Sequence, residues 1–308
     1  MAPSSPAHPT IKFADPLPQS PRSSILEWRF PRPYQNYILT GRSRAAWHTS
    51  FIIPHLNLLL DSGLVVNKLR PKHVFLTHGH ADHTDLAPVF GSTADPPDVF
   101  CPAPMVPAFT AYCNARTTLN LGVENPPPRH ITHGLQPGDV VPLQRTPNIT
   151  ALAFACDHTV PCLGYIFSQT TMKLLPEYAS LSGPELRDLK KSQPGISITG
   201  PITTPIFAFL GDTTAATLAA DPEWLRGGIP VVITECSFLY EEHRAQAAKT
   251  KHTIWADLEG VVRRWPRTTF VLTHFSMRYT EGEVRRFFRD LKDPPGNIVV
   301  WADGEAED

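Results

Sequence analysis

The sequence predicts an α/β fold, a four-layer αββα sandwich in which two sheets face each other with helices outside. Two observations carry that prediction. Short runs of β-branched and apolar residues, each ending in a turn or a polar loop, dominate the first half of the chain. In the second half such runs alternate with segments of helical spacing, the order that lays helices over a sheet.

Residues 37–39 and 49–60 read as strands, closed by the turn Asp61-Ser62-Gly63. Residues 73–76 form a short apolar run that enters the loop Thr77-His78-Gly79-His80. Proline and glycine mark 91–98 and 125–129 as surface loops, with a helix over 107–114 between them. Residues 149–156 and 163–168 read as neighbouring strands. Ser182-Gly183-Pro184-Glu185 is a helix start, with serine as cap, proline in the first turn and glutamate three after the cap. That helix runs to about Ser192, before Pro194-Gly195. Further strands are expected over 206–210, 231–234, 269–273 and 297–301, and helices over 241–248, 254–265 and 281–291.

The 308 residues, 42% hydrophobic and 19% charged, suffice for a sizeable core and speak against wholesale disorder. A single domain is expected over 25–302, after a disordered Pro/Ser-rich tail (1–24) and before an acidic tail (303–308). No apolar run approaches the ~18–20 residues of a membrane span, and the start lacks the basic and apolar regions of a secretory signal. The five cysteines form no C-x-x-C pair, which fits reduced, buried thiols in a cytoplasmic or nuclear protein. A formal charge of −1 gives no global basic surface, so contact with RNA needs a local patch or a second subunit.

The strongest chemical signal is Thr77-His78-Gly79-His80-Ala81-Asp82-His83. Three histidines and an aspartate at the end of a buried strand are too many polar ligands for a core. In an extended loop positions i and i+2 point the same way, so His78 and His80 can grip one metal. After the turn, Asp82 and His83 can face a second. Small spacers at Gly79 and Ala81 let the backbone wrap closely. Imidazole and carboxylate suit zinc, with manganese or iron as alternatives. His158, Asp212 and His274 each follow a predicted strand, and strands of one sheet bring like ends together, so these three are candidate further ligands. Asp61 is expected to hold the metal-binding loop by hydrogen bonds. His48 and His55 read as structural, and His130 and His133 as loop residues without partners.

The first motif resembles the metallo-β-lactamase superfamily. Asp157-His158-Thr159-Val160-Pro161-Cys162, Gly211-Asp212-Thr213-Thr214, Thr234-Glu235-Cys236-Ser237-Phe238 and Thr273-His274-Phe275-Ser276-Met277-Arg278-Tyr279 narrow the resemblance to ribonuclease Z, the tRNA 3′-processing endonuclease. Residues 178–205 look like its short eukaryotic form. The resemblance implies that His78, His80 and His158 hold one ion, that Asp82, His83 and His274 hold another, and that Asp212 bridges them. It also implies attack by a metal-activated hydroxide, with Asp82 accepting a proton from the attacking water. His252 would donate a proton to the leaving 3′-oxygen, oriented by Glu235.

Between His158 and Asp212 the interval is too short for the long clamping arm of the bacterial enzymes, and it is read as mostly the capped helix. Lys190 and Lys191 on that helix are candidate phosphate contacts. With so little basic surface on one chain, a homodimer is expected to grip precursor tRNA. The alternative is a hydrolase of the same fold acting on a small molecule such as a cyclic nucleotide, thioester or lactone.

Overall fold

In the computed structural model, which describes residues 25–91, 95–124 and 131–303, each half of the chain forms its own seven-stranded sheet. The first sheet runs in chain order: β1 (Leu26–Arg29), β2 (Ile38–Arg44), β3 (His48–Ile53), β4 (Leu58–Leu60), β5 (His73–Phe75), β6 (Asp98–Pro102) and β7 (Ile131–Leu135). The second holds β8 (Val140–Leu143), β9 (Thr146–Cys156), β10 (Cys162–Leu174), β11 (Thr199–Phe209), β12 (Val231–Glu235), β13 (Thr269–Thr273) and β14 (Ile298–Val300). Both sheets follow one plan. Strands β1 to β4 pair antiparallel and β4 to β7 parallel; β8 to β11 pair antiparallel and β11 to β14 parallel.

The sheets meet through an apolar layer in which Phe51 and Phe75 pack against Tyr165, Phe167, Phe207 and Phe209. Phe75 lies edge-on to Phe167 with ring centroids 5.2 Å apart. Trp301, near the end of the second half, packs on Phe51 and donates from Nε1 to the Gly41 carbonyl at 3.2 Å. Full burial of one such ring stabilises by roughly 1.5–3 kcal/mol, so this layer fixes how the sheets sit.

Helices cover the outer faces. On the first sheet α1 (Ala81–Thr84), α2 (Ala87–Gly91) and α3 (Val106–Leu121) follow β5 and β6; Phe90, Phe109 and Cys113 cover Ile52, Leu59 and Val74. On the second sheet α8 (Trp255–Arg264) and α9 (Glu281–Arg289) bring Leu258, Val262, Val284 and Phe288 onto Val232, Phe270 and Leu272. The expected four-layer sandwich is the observed one.

The remaining helices are α4 (Gly183–Ser192), α5 (Ala216–Ala219), α6 (Glu223–Arg226) and α7 (Arg244–Thr250). Helix α4 opens with the expected capping box between Ser182 and Glu185.

Several expectations change. The run 49–60 is two strands, interrupted by a 3-10 turn at Pro54–Leu56, because Pro54 has no N–H for the ladder. The helix expected over 107–114 continues to Leu121 and ends at Gly122, whose φ of 66° an alanine would resist. The interval from His158 to Asp212 is not mostly helix. Strands β10 and β11 form a long hairpin, paired from Tyr165↔Phe209 out to Leu174↔Thr199, with α4 in the connection at its far end. The expected tail at 1–24, the acidic tail 303–308 apart from Asp303, His130 and the loop 125–129 lie outside the described residues. All five cysteines are free thiols, four of them buried. Among the described residues no helix is long and apolar enough to cross a membrane.

Candidate metal centre

The parallel strands of both sheets release their carboxyl ends at one edge of the sandwich, where such sheets bind ligands. Beyond β5, the chain leaves the sheet at Thr77 and turns at His80 into α1, so His78, His80, Asp82 and His83 project from one short segment. His158 follows β9, Asp212 follows β11, and His274 follows β13.

Two trios result. His80 Nδ1 lies 3.0 Å from His78 Nε2 and 3.2 Å from His158 Nε2. His274 Nε2 lies 3.3 Å from both His83 Nε2 and Asp82 Oδ2. Between them stands the Asp212 carboxylate. Its Oδ2 is 3.6 Å from His78 Nε2 and 3.9 Å from His158 Nε2; its Oδ1 is 3.3 Å from the Nε2 atoms of His83 and His274. The seven residues expected from the sequence are therefore gathered, with one Asp212 oxygen facing each trio.

The neighbours of the rings fix their protons. Asp61, fully buried, lies 2.7 Å from the Thr77 N–H, 2.9 Å from the Thr77 hydroxyl and 2.7 Å from His83 Nδ1. Having donated to Asp61, Thr77 Oγ1 can only accept from His78 Nδ1, 3.0 Å away. Ser237 Oγ lies 2.6 Å from Glu235 Oε2 and 3.0 Å from His274 Nδ1, so its proton serves the carboxylate and it accepts from the ring. His158 Nδ1 donates to the Lys251 carbonyl at 3.1 Å. In all four rings Nδ1 is taken up by an outer partner, which leaves Nε2 aimed into the cluster as the atom a ligating histidine offers.

That arrangement tests whether cations fit. Ring nitrogens face one another at about 3 Å, and Asp212 Oδ1 is buried without a hydrogen bond among the described residues. Divalent ions between these atoms would convert each such contact into coordination, and imidazole with carboxylate is a suitable donor set. The residues fit a two-metal centre.

The charges are strongly coupled. Burial pushes His78, His80 and His158 below the usual histidine range. For His83 burial also disfavours the cation, but the carboxylates of Asp212 and Asp61 outweigh it and raise the ring well above that range. Burial opposes ionisation of Asp212, yet His274 and His83 hold it ionised, well below the usual carboxylate range.

Beside the cluster, His252 Nδ1 lies 2.8 Å from Glu235 Oε1 and 3.9 Å from Asp212 Oδ2. Glu235 ends β12 and is only 1% exposed; the N–H groups of Thr213 and Thr253 bond it at 2.7 and 3.1 Å, alongside Ser237 and His252. Burial disfavours a charged His252, but the charge and hydrogen bond of Glu235 outweigh that and push it up to about 9.

Other expected residues fall elsewhere. Lys190 and Lys191 lie on α4, away from the cluster residues, with Lys191 Nζ 4.0 Å from Asp188. His133 is not an unpartnered loop residue: it lies in β7 and bonds Asp98 at 2.9 Å, because its segment pairs as the edge of the first sheet. His48 is buried at the start of β3, and burial with nearby Arg42 and Arg44 pushes it down to about 4. Sequence reasoning gave no role to Thr77 or Ser237, though both stand within two residues of a ligand or of Glu235. It also missed the Ala46 N–H, which donates to Asp82 Oδ2 at 2.9 Å from the β2–β3 turn. A backbone donor leaves no signature in residue type.

Two facing sheets with a His/Asp cluster at their shared edge define a metallo-β-lactamase-fold protein. Solved structures agree on the fold. Human tRNase Z, short form, superposes with a TM-score of 0.52 at 15% identity, covering 85% of this chain and 95% of that one. The metallo-β-lactamase fold protein YhfI of Bacillus subtilis gives 0.50 at 12% identity, covering 90% and 93%. No protein-family model matches the chain. Among curated proteins, the chloroplastic tRNase Z TRZ2 of Arabidopsis thaliana is 32% identical over 281 residues, 86% of this chain and 75% of that one. Its tRNase Z TRZ1 is 26% identical over 278 residues, 88% and 96%. The chain belongs to the tRNase Z family.

Proposed function

We propose that this protein is a two-metal phosphodiesterase, with zinc as the metal, that removes the 3′ trailer of precursor tRNA. One observation carries the reading: a buried Glu235 holding His252 at 2.8 Å, directly beside the metal-binding cluster. A ribose 3′-oxygen is a poor leaving group and needs a proton as it departs, and a carboxylate-oriented imidazole is the group to supply it. Relatives named tRNase Z support tRNA as the substrate.

When bound, two divalent ions would polarise the phosphoryl group and bring the pKa of water down toward ~7. The chain's own residues do the rest. His78, His80 and His158 would hold one ion, Asp82, His83 and His274 the other, with Asp212 serving both. Asp82 accepts a proton from the attacking water, steadied by the Ala46 N–H. His252 delivers a proton from Nε2, since Glu235 engages Nδ1. Lys190 and Lys191, on the connection of the β10–β11 hairpin, contact phosphates of the tRNA body, and a homodimer presents this arm across from the partner's cluster. Incubation with precursor tRNA should give a mature 3′-hydroxyl end, and metal analysis about two equivalents per chain. An intact precursor, or cleavage only of small esters, would overturn the reading.

A further inference from the structure

Three described cavities flank the cluster. One of about 300 Å³ is lined by Gly79 and Ala81, and one of about 450 Å³ by His158. The third, about 350 Å³, lies between α5 and α7, and of the three it is the one lined by His252. Its walls carry Ala216, Ala219 and Ala248, with Thr214 and Arg244 at the edge. These three alanines are exposed, so they face an open recess rather than a packed core.

We infer that this alanine-lined cavity receives the nucleoside whose 3′-oxygen departs, the last residue of the mature product. The inference rests on the proposed tRNA 3′-cleavage. In an in-line displacement the attacking and leaving oxygens stand on opposite sides of phosphorus. The leaving oxygen must come within hydrogen-bond reach of the proton on His252 Nε2. Its ribose is one bond further on and the base beyond that, and the α5–α7 cavity is the one of the three that His252 lines. The volume falls in the range of small-ligand sites.

The walls also say how the base is read. Alanine methyls offer contact area and no hydrogen bonds. The polar rim is already engaged: Arg244 bonds Asp257 at 2.9 Å, and Thr214 Oγ1 donates to Asp157 Oδ2 at 2.9 Å. The cavity therefore accepts a base by shape and burial, with little preference among the four.

The test pairs two precursor tRNAs with three proteins. One RNA is natural and the other abasic at the nucleotide 5′ of the cut. The proteins are the metal-replete wild type, Ala216→Leu and Ala248→Leu. Wild type should show a KM about tenfold lower for the natural RNA, the scale of burying part of one base. Each leucine variant should lose most of that preference while keeping its metal content and melting temperature. Similar KM values for all four bases at that position would further support recognition by shape. Wild type that cleaves both RNAs with equal KM, or variants that keep the full preference, would place the base elsewhere. Wild type that leaves precursor tRNA uncut would remove the proposed function and this inference with it.

Discussion

The two trios are built from similar side chains but held differently. His83 and His274 are almost fully buried, and their outer nitrogens meet a carboxylate directly in one case and through Ser237 in the other. His78 is as deeply buried and reaches the Asp61 carboxylate through the Thr77 hydroxyl, His158 bonds only a neutral backbone carbonyl, and His80 is partly exposed. A carboxylate behind an imidazole raises its basicity and locks its orientation. With a carboxylate in direct contact at His83, the second trio is expected to be the tighter site and the first the more open one. Titration with a chelator should release the ions in two phases, the first trio's ion leaving first.

The largest expected effect is at the residue the trios share. Asp212→Ala should cost on the order of 10³-fold or more in activity, because it removes a ligand from both sites. Metal content should fall from two equivalents to one or none; an unchanged content would mean that the trios do not depend on a bridge. Next comes His252→Ala, which should slow precursor cleavage by roughly 10²-fold with metal content intact. A nitrophenyl phosphodiester, whose leaving group needs no proton, should be affected far less. Equal damage on both would make His252 structural.

Asp61→Asn addresses the contrast itself. Asp61 meets His83 directly and His78 only through Thr77, so losing its charge should weaken the second ion more, by about 10- to 100-fold, and narrow or reverse the order of release. If the order survives unchanged, the buried carboxylate is not what separates the sites. The smallest effect is expected far from both. Replacing Lys190 and Lys191 with alanine should raise KM for precursor tRNA a few-fold, reduce its salt dependence, and leave turnover of a small phosphodiester alone.

Much of this centre was legible because its chemistry concentrates in residue type. Three histidines within six positions cannot be core, and ligands that follow apolar runs sit where parallel strands end together. What escaped reading is held by geometry. Strands β6 to β8, of which β7 and β8 are sheet edges, carry weak alternation next to proline and glycine, so periodicity passed over them. The β10–β11 hairpin hid its length because its outer part, from Ser168 onward, is polar and partly exposed on both faces. Glu235 was named through the family resemblance, but its burial among four donors has no signature in residue type.

The correspondence between chain halves and sheets has a mechanical consequence. Residues up to 135 make one sheet and residues from 140 on make the other, joined by a single short crossing. In the proposed assignment the first half supplies two ligands to one ion and two to the other, and the second half supplies the remainder. Neither half retains a complete set. Ions bound there would act as rivets across the seam between two structural units, alongside the aromatic layer and the Trp301 contact. Cut at 136–139, the chain would yield two fragments whose reunion should be favoured by metal, making the catalytic centre also a latch that records whether both halves have docked.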